Sequence, residues 1–520
     1  MTTDDHPSDA AAVTSFAGSG RASEAADVPS SAGSAPASAE PWTWTAAEAL
    51  ATFRTRQLSP VDYLDSLAAR IAEQDPEINA VTEVVEEARS AAVAAERVYA
   101  SSSEETLAEA LAAQPLLGLP VLAKEKHALA GHTLSQGLVH LSDEVASEDA
   151  TIISRIRAAG GFVHARVTSP EFSCATFTHS PMWGVTRNPW NLELSPGGSS
   201  GGSGAGLAAG YGPLATASDI AGSTRLPAAF TGTVGYKAPY GRIPGAAPLS
   251  LDWYRGDGPM ARTVADTALL AQVMVGVAPG DHSSVPSPGF LAGFDALSGA
   301  VVDSLAGRRI ALCVRLGDFP VAADIEANTR KVAAVLESTG AVVEEIELPW
   351  TVERIFETAF THFGTILAPA MRALTRGHED TLADYTLRFM DVAEAIAARR
   401  SFYDGLAMEA QIQAELATAM DGYDVLLAPT SAVAALEADG TYLDGISVGE
   451  RTFEHYWQAH MTVPFNIANR VPIVNVPSGM ADCGIPTGLQ VIGHPYEDRS
   501  AFDVAAAIEQ LLPWTGLAPR

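Results

Sequence analysis

The chain has 520 residues, 47% of them hydrophobic and 18% charged, and a formal net charge of −30. That length can bury a large core with the balance of a globular protein, while the acidity excludes a nucleic-acid partner held on a basic face. No apolar run approaches the ~20 residues that span a bilayer, so no membrane segment is expected.

Residues 1–40 are Ala, Ser, Asp and Gly with almost no large apolar side chains. Such a segment cannot offset its ordering entropy, so a disordered tail is expected there. It carries no basic stretch followed by an apolar one, and so reads as no secretory signal. Order is expected from about Trp42. Thr45 with Glu48 three residues on is a capping box opening a helix. Ser59-Pro60-Val61-Asp62 opens a second, with Ser as cap and Pro in the first turn. Tyr63, Leu64, Leu67 and Ile71 then share one helical face.

From about residue 115 to 300 short apolar runs alternate with helical segments. "LPVLA" (119–123), "GFVHARV" (161–167), "PLATAS" (213–218) and "RRIALCV" (308–314) read as strands, and "DATIISRIRAAG" (149–160) as a helix ending at glycine. Residues 351–422 read as a long helical stretch. Strands return at "DVLLAPT" (424–430), "VPIVNVP" (471–477) and "GLQVIG" (488–493). The alternation predicts an α/β fold, a sheet with helices on its faces.

Cys174, Cys313 and Cys483 are the three cysteines. They are far apart and form no CxxC pair, which suits a reducing cytoplasm. The pairs His127/His132 and His455/His460 lack the spacing of a zinc site, so no metal is expected. The chain has four lysines, Lys124, Lys126, Lys237 and Lys331. A sequence so sparing of lysine keeps one in the apolar stretch "GLPVLAKEK", which calls for a specific role.

The stretch "SPGGSSGGSGAG" (195–206) allows three readings. A linker separates independent units, but here Gly202, Gly206 and Gly210 recur every four residues, a bare helix stripe that lets another backbone approach. A phosphate cradle needs GxxxxGK[ST], and no lysine follows. A catalytic role has two versions. Gly197-Gly-Ser199-Ser-Gly201 matches the GxSxG elbow of α/β-hydrolases, with His494 as the late histidine. The second version adds Ser223 in "ASDIAGSTRLPAAFTGTVGYK" (217–237).

Lys124 in "GLPVLAKE", "GGSSGG" (197–202), "SDIAGSTRLPA" (218–228) and "GYKAPYGRIP" (235–244) together resemble the amidase signature family. "GPMARTVAD" (258–266), "DVLLAPT" and "PFNIANRVPIVNVPSG" (464–479) continue the match, in order, from about residue 45 to the end. A lone lysine or turn serine is more often structural; the ordered set reverses that. The resemblance implies a single α/β/α domain over residues 41–520 with a central mixed sheet covered by helices, and no cofactor. It implies a hydrolase of carboxylic amides, or of related esters or carbamates, with a small-molecule amide as substrate and a homodimer left open. Lys124 falls on the family's base, Ser199 on its cis-peptide serine and Ser223 on its nucleophile. The N–H groups of Ile220, Ala221, Gly222 and Ser223 fall on its oxyanion hole, and Asp219 with Arg225 reads as an ion pair shaping that turn. An A-type component of a glutamine-dependent amidotransferase is the alternative.

For the substrate, Ser173, Cys174, Trp253, Tyr254 and Phe360 are the candidate contacts. Trp253 and Tyr254 lie in a loop that reads as exposed. Phe356, Phe360, Phe363, Leu367, Met371, Phe389 and Met390 crowd the 351–422 region, a helical wall of the substrate channel by the resemblance, and suggest an apolar or aromatic substrate group. Ala221 in place of a usual glycine, Glu125-Lys126-His127 after the lysine, and Arg470 depart from the family's pattern. Deleting residues 1–40 is expected to leave melting temperature and turnover nearly unchanged; a large loss of Tm would show that the tail packs on the domain.

Overall fold

The capping box and the second helix start read from the sequence are both formed in the computed structural model, which describes residues 40–519, and the second proves to be a capping box as well. The tail expected over 1–40 lies, apart from Glu40, outside the described residues. Glu48 donates its N–H to Thr45 Oγ1 (3.2 Å) and accepts the Thr45 N–H (2.8 Å), opening the helix Ala46–Arg54. Ser59 and Asp62 do the same for Pro60–Ile78, whose Tyr63, Leu64, Leu67 and Ile71 are buried. The Asp266 carboxylate accepts the N–H groups of Ala46 (2.8 Å) and Ala47 (3.1 Å), supplying partners that a helix start lacks and tying this end to the body.

Eleven strands make one mixed sheet. Its spatial order is Val81–Val84, Phe162–Val167, Pro120–Lys124, Leu214–Asp219, Gly256–Ala261, Val234–Lys237, Ile473–Met480, Pro486–Gly493, Val425–Pro429, Arg309–Leu312 and Val342–Glu345. Pro120–Lys124 runs parallel to both its neighbours, while the middle of the sheet is antiparallel. Side chains alternate between the faces with the period of two that a strand imposes. Val425 and Leu427 enter one core with Val121, Ile152 and Phe502; Leu426 and Ala428 enter the other with Phe177, Phe363 and Trp457. The expected α/β/α architecture with a central mixed sheet is therefore present. Among the described residues no helix is long and apolar enough to cross a membrane.

Four strands of this sheet escape sequence reading. Val81–Val84 and Val342–Glu345 are the two sheet edges and carry glutamates, as edges exposed to solvent commonly do. Gly256–Ala261 holds two glycines and a proline, residues that argue against a strand. Val234–Lys237 is only four residues long. The 351–422 stretch divides into four helices: Val352–Thr365, Leu367–Thr375, Asp384–Ala397 and Phe402–Ala419.

The glycine-rich stretch is neither linker nor loose. It leads into the helix Gly201–Ala208, every residue of which is buried. A Cβ on Gly202 would collide with the backbone of Thr168, so glycine there admits a neighbouring main chain. The stripe expected at 202, 206 and 210 is only partly right. Gly206 meets the Leu122 side chain, and Gly210 lies past the helix at a φ of 80° against the Trp42 ring. Gly202→Ala should lower stability by at least about 1–3 kcal/mol in urea unfolding, the usual cost of overpacking. Gly280→Ala, where a Cβ meets nothing within 4 Å, is the control expected to be near neutral.

Candidate active site

Lys124 ends its strand with its side chain fully buried. Its Nζ lies 2.7 Å from Ser199 Oγ and 3.1 Å from both Ser200 Oγ and Ser218 Oγ. Burial pushes the amine well below the usual lysine value, and the charge of nearby Lys126 pushes the same way. Burial and Arg255 in turn bring Lys126 down to about 8. Below Lys124, Thr216 Oγ1 accepts its N–H (3.0 Å) and meets His127 Nδ1 (2.8 Å), while His127 Nε2 meets Asp257 Oδ1 (3.1 Å). Glu125, where the family pattern is broken, is buried and accepts hydroxyls from Ser169 (2.7 Å) and Ser135 (3.2 Å).

Ser199 follows a cis Gly198–Ser199 peptide. The next residue couples the two turns, the Ser200 N–H donating to the Ser223 carbonyl (3.2 Å). Ser223 and Ser199 line one small cavity together with Phe172, Ser173, Ser218, Asp219, Ile220, Arg255 and Leu367. The structure thus brings Lys124, Ser199 and Ser223 to one place, at the carboxyl ends of two adjacent parallel strands, where open α/β sheets bind ligands. Among the described residues the Ser223 hydroxyl makes no hydrogen bond, to Ser199 or otherwise.

The turn before Ser223 is held by an ion pair, as the sequence suggests. Asp219 accepts Arg225 Nη2 (2.9 Å) and Nε (3.0 Å), Asn466 Nδ2 (2.9 Å), and the N–H groups of Gly222 (2.7 Å) and Thr224 (3.2 Å). Arg225 also donates to Thr462 O, Gln490 Oε1 and Asn466 Oδ1. Burial alone would raise the Asp219 pKa, but the Arg225 charge and these bonds outweigh it and hold the carboxyl well below its usual range. One expected oxyanion donor is corrected by this geometry. The Gly222 N–H is spent on Asp219, so Ile220, Ala221 and Ser223 are the turn's donors without a protein partner among the described residues. The turn takes its positive φ, 126°, at Gly222, and alanine at 221 is accommodated.

Several expected substrate contacts lie elsewhere. Ser173 lines the cavity, but the neighbouring Cys174 thiol is buried against Thr386 and its pKa is pushed up by that burial. In the loop of Trp253 and Tyr254, expected to be exposed, Tyr254 is buried and Trp253 half-buried. Tyr254 stacks on the His362 ring (3.7 Å between centroids) and donates to Glu409 (3.1 Å), as does Trp253 Nε1 (2.9 Å). Phe360 and Phe356 line a separate apolar cavity with Trp457, while Phe363, Met371, Phe389 and Met390 fill the core. Of that group only Leu367 reaches the serine cavity. His494, needed by the elbow reading, is bonded to the Tyr423 carbonyl (2.7 Å) and is not among the cavity residues. Phe172, Ser200, Ser218 and Arg255 were not legible as site residues; Ser200 and Ser218 sit inside the quoted motifs, whereas nothing in "WYRGDG" marks Arg255.

The family model described as Amidase matches residues 62–501, and the chain belongs to the amidase signature family, whose enzymes hydrolyse C–N bonds. The A subunit of the glutamyl-tRNA(Gln) amidotransferase from Geobacillus stearothermophilus is 32% identical over 489 residues, covering 88% of this chain and 94% of the relative. A bacterial aryl acylamidase of the same family superposes with a TM-score of 0.81 at 27% identity, covering 91% of this chain and 96% of that one. A 6-aminohexanoate cyclic dimer hydrolase solved with its substrate gives a TM-score of 0.77 at 26% identity, covering 93% and 99%.

Arg225→Ala strands a buried carboxylate and should cost about 3–5 kcal/mol in urea unfolding at neutral pH. In the wild type the depressed Asp219 stabilises above its unfolded pKa, about 3.9, and that contribution is lost as pH falls through the lower folded value. The gap between the two proteins should therefore be widest near neutrality and shrink below about pH 4.

Proposed function

We propose that the chain hydrolyses a carboxylic amide through an acyl-enzyme on Ser223, within one catalytic unit spanning residues 41–520. The observation that carries this reading is the buried Lys124 amine, 2.7 Å from Ser199 Oγ at a cavity that Ser223 shares. A serine hydroxyl needs a base to become a nucleophile, and lysine is a base only when neutral, the form that burial favours. Ser223 Oγ attacks the amide carbon, and its proton passes to Ser199, whose own proton passes to Lys124. Negative charge on the former carbonyl oxygen is met by the free N–H groups of the 220–223 turn, each such donor being worth about 2.7–4 kcal/mol. As the C–N bond breaks, the proton returns by the same route to the leaving amine. Water then attacks the Ser223 ester, gives up its proton along that path, and releases the acid. The Ser199–Ser223 hydrogen bond is expected to close when substrate fills the cavity, since catalytic bonds are commonly loose in a free enzyme.

A second reading has support of its own: the identity to curated amidotransferase A subunits favours a chain that releases ammonia from glutamine inside a complex. Copurification of partner subunits, with glutamine hydrolysis that depends on them, distinguishes it from a free-standing amidase.

Ser223→Ala should abolish covalent labelling by a serine-reactive phosphonate, and peptide mapping should place the label on Ser223 in the wild type. Lys124→Ala should cut turnover by at least ~10²–10⁴-fold, the usual loss on removing a general base, with labelling slowed at the same serine. Ser199→Ala should also fall heavily, and His494→Ala should stay near normal. Wild-type activity should rise with pH as Lys124 loses its proton, and that rise should be missing from the residual activity of Lys124→Ala. A label on Ser199 would overturn the assignment.

A further inference from the structure

The serine cavity contains a cation that the chemistry above does not use. Arg255 lines it beside Ser199, Ser223 and Ile220, and its side chain is only 16% exposed. The other deeply buried arginines of this region are fully engaged. Arg225 bonds Asp219, Thr462, Gln490 and Asn466, and Arg262 bonds Gly212, Thr43 and Trp44. The Arg255 guanidinium, in contrast, makes no hydrogen bond among the described residues, and its buried Nε has no partner. Its nearest acid is Asp252, 3.9 Å away and beyond hydrogen-bond reach. Asp252 bonds His362 through Oδ1 (2.8 Å), its Oδ2 faces Arg255 without a hydrogen bond, and Asp257 bonds His127 (3.1 Å). A buried N–H left without an acceptor is costly, and the cavity that Arg255 lines is where an acceptor can enter. Asp219, the other charged group of the cavity wall, is occupied by Arg225 and does not compete.

We propose that Arg255 anchors a carboxylate carried by the substrate, so that the enzyme acts on amides bearing a negative charge close to the scissile carbonyl. This deepens the hydrolase reading of the same cavity and rests on it. The planar fork of a guanidinium matches a carboxylate with two parallel hydrogen bonds, and a single cation in a narrow pocket flanked by Phe172 and Leu367 suits one anionic group on a short apolar stem. Lys126 cannot take this role, because it does not line the cavity. The preference runs opposite to that suggested by the aromatic residues of 351–422, most of which face away from the serines.

The test compares matched amides. Succinamic and glutaramic acids carry the carboxylate on the acyl part, N-acylglycines on the leaving amine; butanamide, pentanamide and N-acyl ethylamines are their neutral counterparts. Wild type should show a higher kcat/KM for one anionic series than for its neutral match, which also tells which part of the substrate bears the charge. Arg255→Gln should reduce that anionic-to-neutral ratio roughly 10–100-fold, the range for a hydrogen bond to a charged group, mainly through KM. Arg255→Lys, which keeps charge but loses the fork, should fall between. Equal rates for both classes in wild type, or an unchanged ratio in Arg255→Gln, overturns the assignment. A measurement on the wild type alone covers the case of a variant that does not fold: glutarate should slow phosphonate labelling of Ser223, and 1,5-pentanediol should not. Labelling that glutarate leaves untouched sinks only the Arg255 assignment, whereas no labelling at all sinks the hydrolase reading beneath it.

Discussion

Removing the Lys124 amine from water favours its neutral form, and the rest of the site depends on that burial. The strand that carries it, Pro120–Lys124, is buried along its whole length between two parallel neighbours. Three serine hydroxyls surround the nitrogen in place of a carboxylate. A carboxylate there would have favoured the charged form. Hydroxyls satisfy the amine's hydrogen bonds without fixing its charge, which is why the polar lining of this pocket is serine and not aspartate.

Bringing those hydroxyls so close imposes a second constraint, on backbone space. A Cβ at Gly198 would fall 2.5 Å from the Phe177 carbonyl, and Gly202 lies against the Thr168 main chain. The glycines around Ser199 therefore serve packing, and the flexibility their composition suggests is absent from a helix with every residue buried. The turn before Ser223 is held by different means. Asp219 and Arg225 form a buried pair of the kind that contributes only when every remaining donor and acceptor is met, and here Thr462, Asn466 and Gln490 meet them. Through those partners the turn at 219–225 is fixed by residues more than two hundred positions further along the chain.

One arginine is held in this way and another is not, and the contrast separates structure from recognition. Arg225 is saturated by protein acceptors and shapes the turn; Arg255 lines the cavity with no acceptor within hydrogen-bond reach. Nothing about the residue type distinguishes them. The difference lies in what the fold places around each guanidinium.

Local and ordered signals are legible in the sequence. Thr45/Glu48 and Ser59/Asp62 cap their helices because capping needs only residues three apart, and runs such as "LPVLA" form strands because alternation with helices leaves them buried. The order of the motifs singles out Lys124, Ser199 and Ser223. The edge strands Val81–Val84 and Val342–Glu345 were not legible, since solvent on one side removes the apolar pattern that marks a strand. Nor was the fate of the Gly222 N–H, the burial of Tyr254 against His362, or the position of Phe360 in a cavity apart from the serines. Each depends on which distant segments meet, and residue type and spacing carry no record of that. The sequence by itself determined the fold class and the chemistry on offer at three positions. Tertiary structure alone decided which donors stay free, which aromatics lie apart from the serine cavity, and that Arg255 stands beside Ser223 without a hydrogen-bond acceptor, because burial and hydrogen-bond partners are properties of the packed chain and not of any stretch of it.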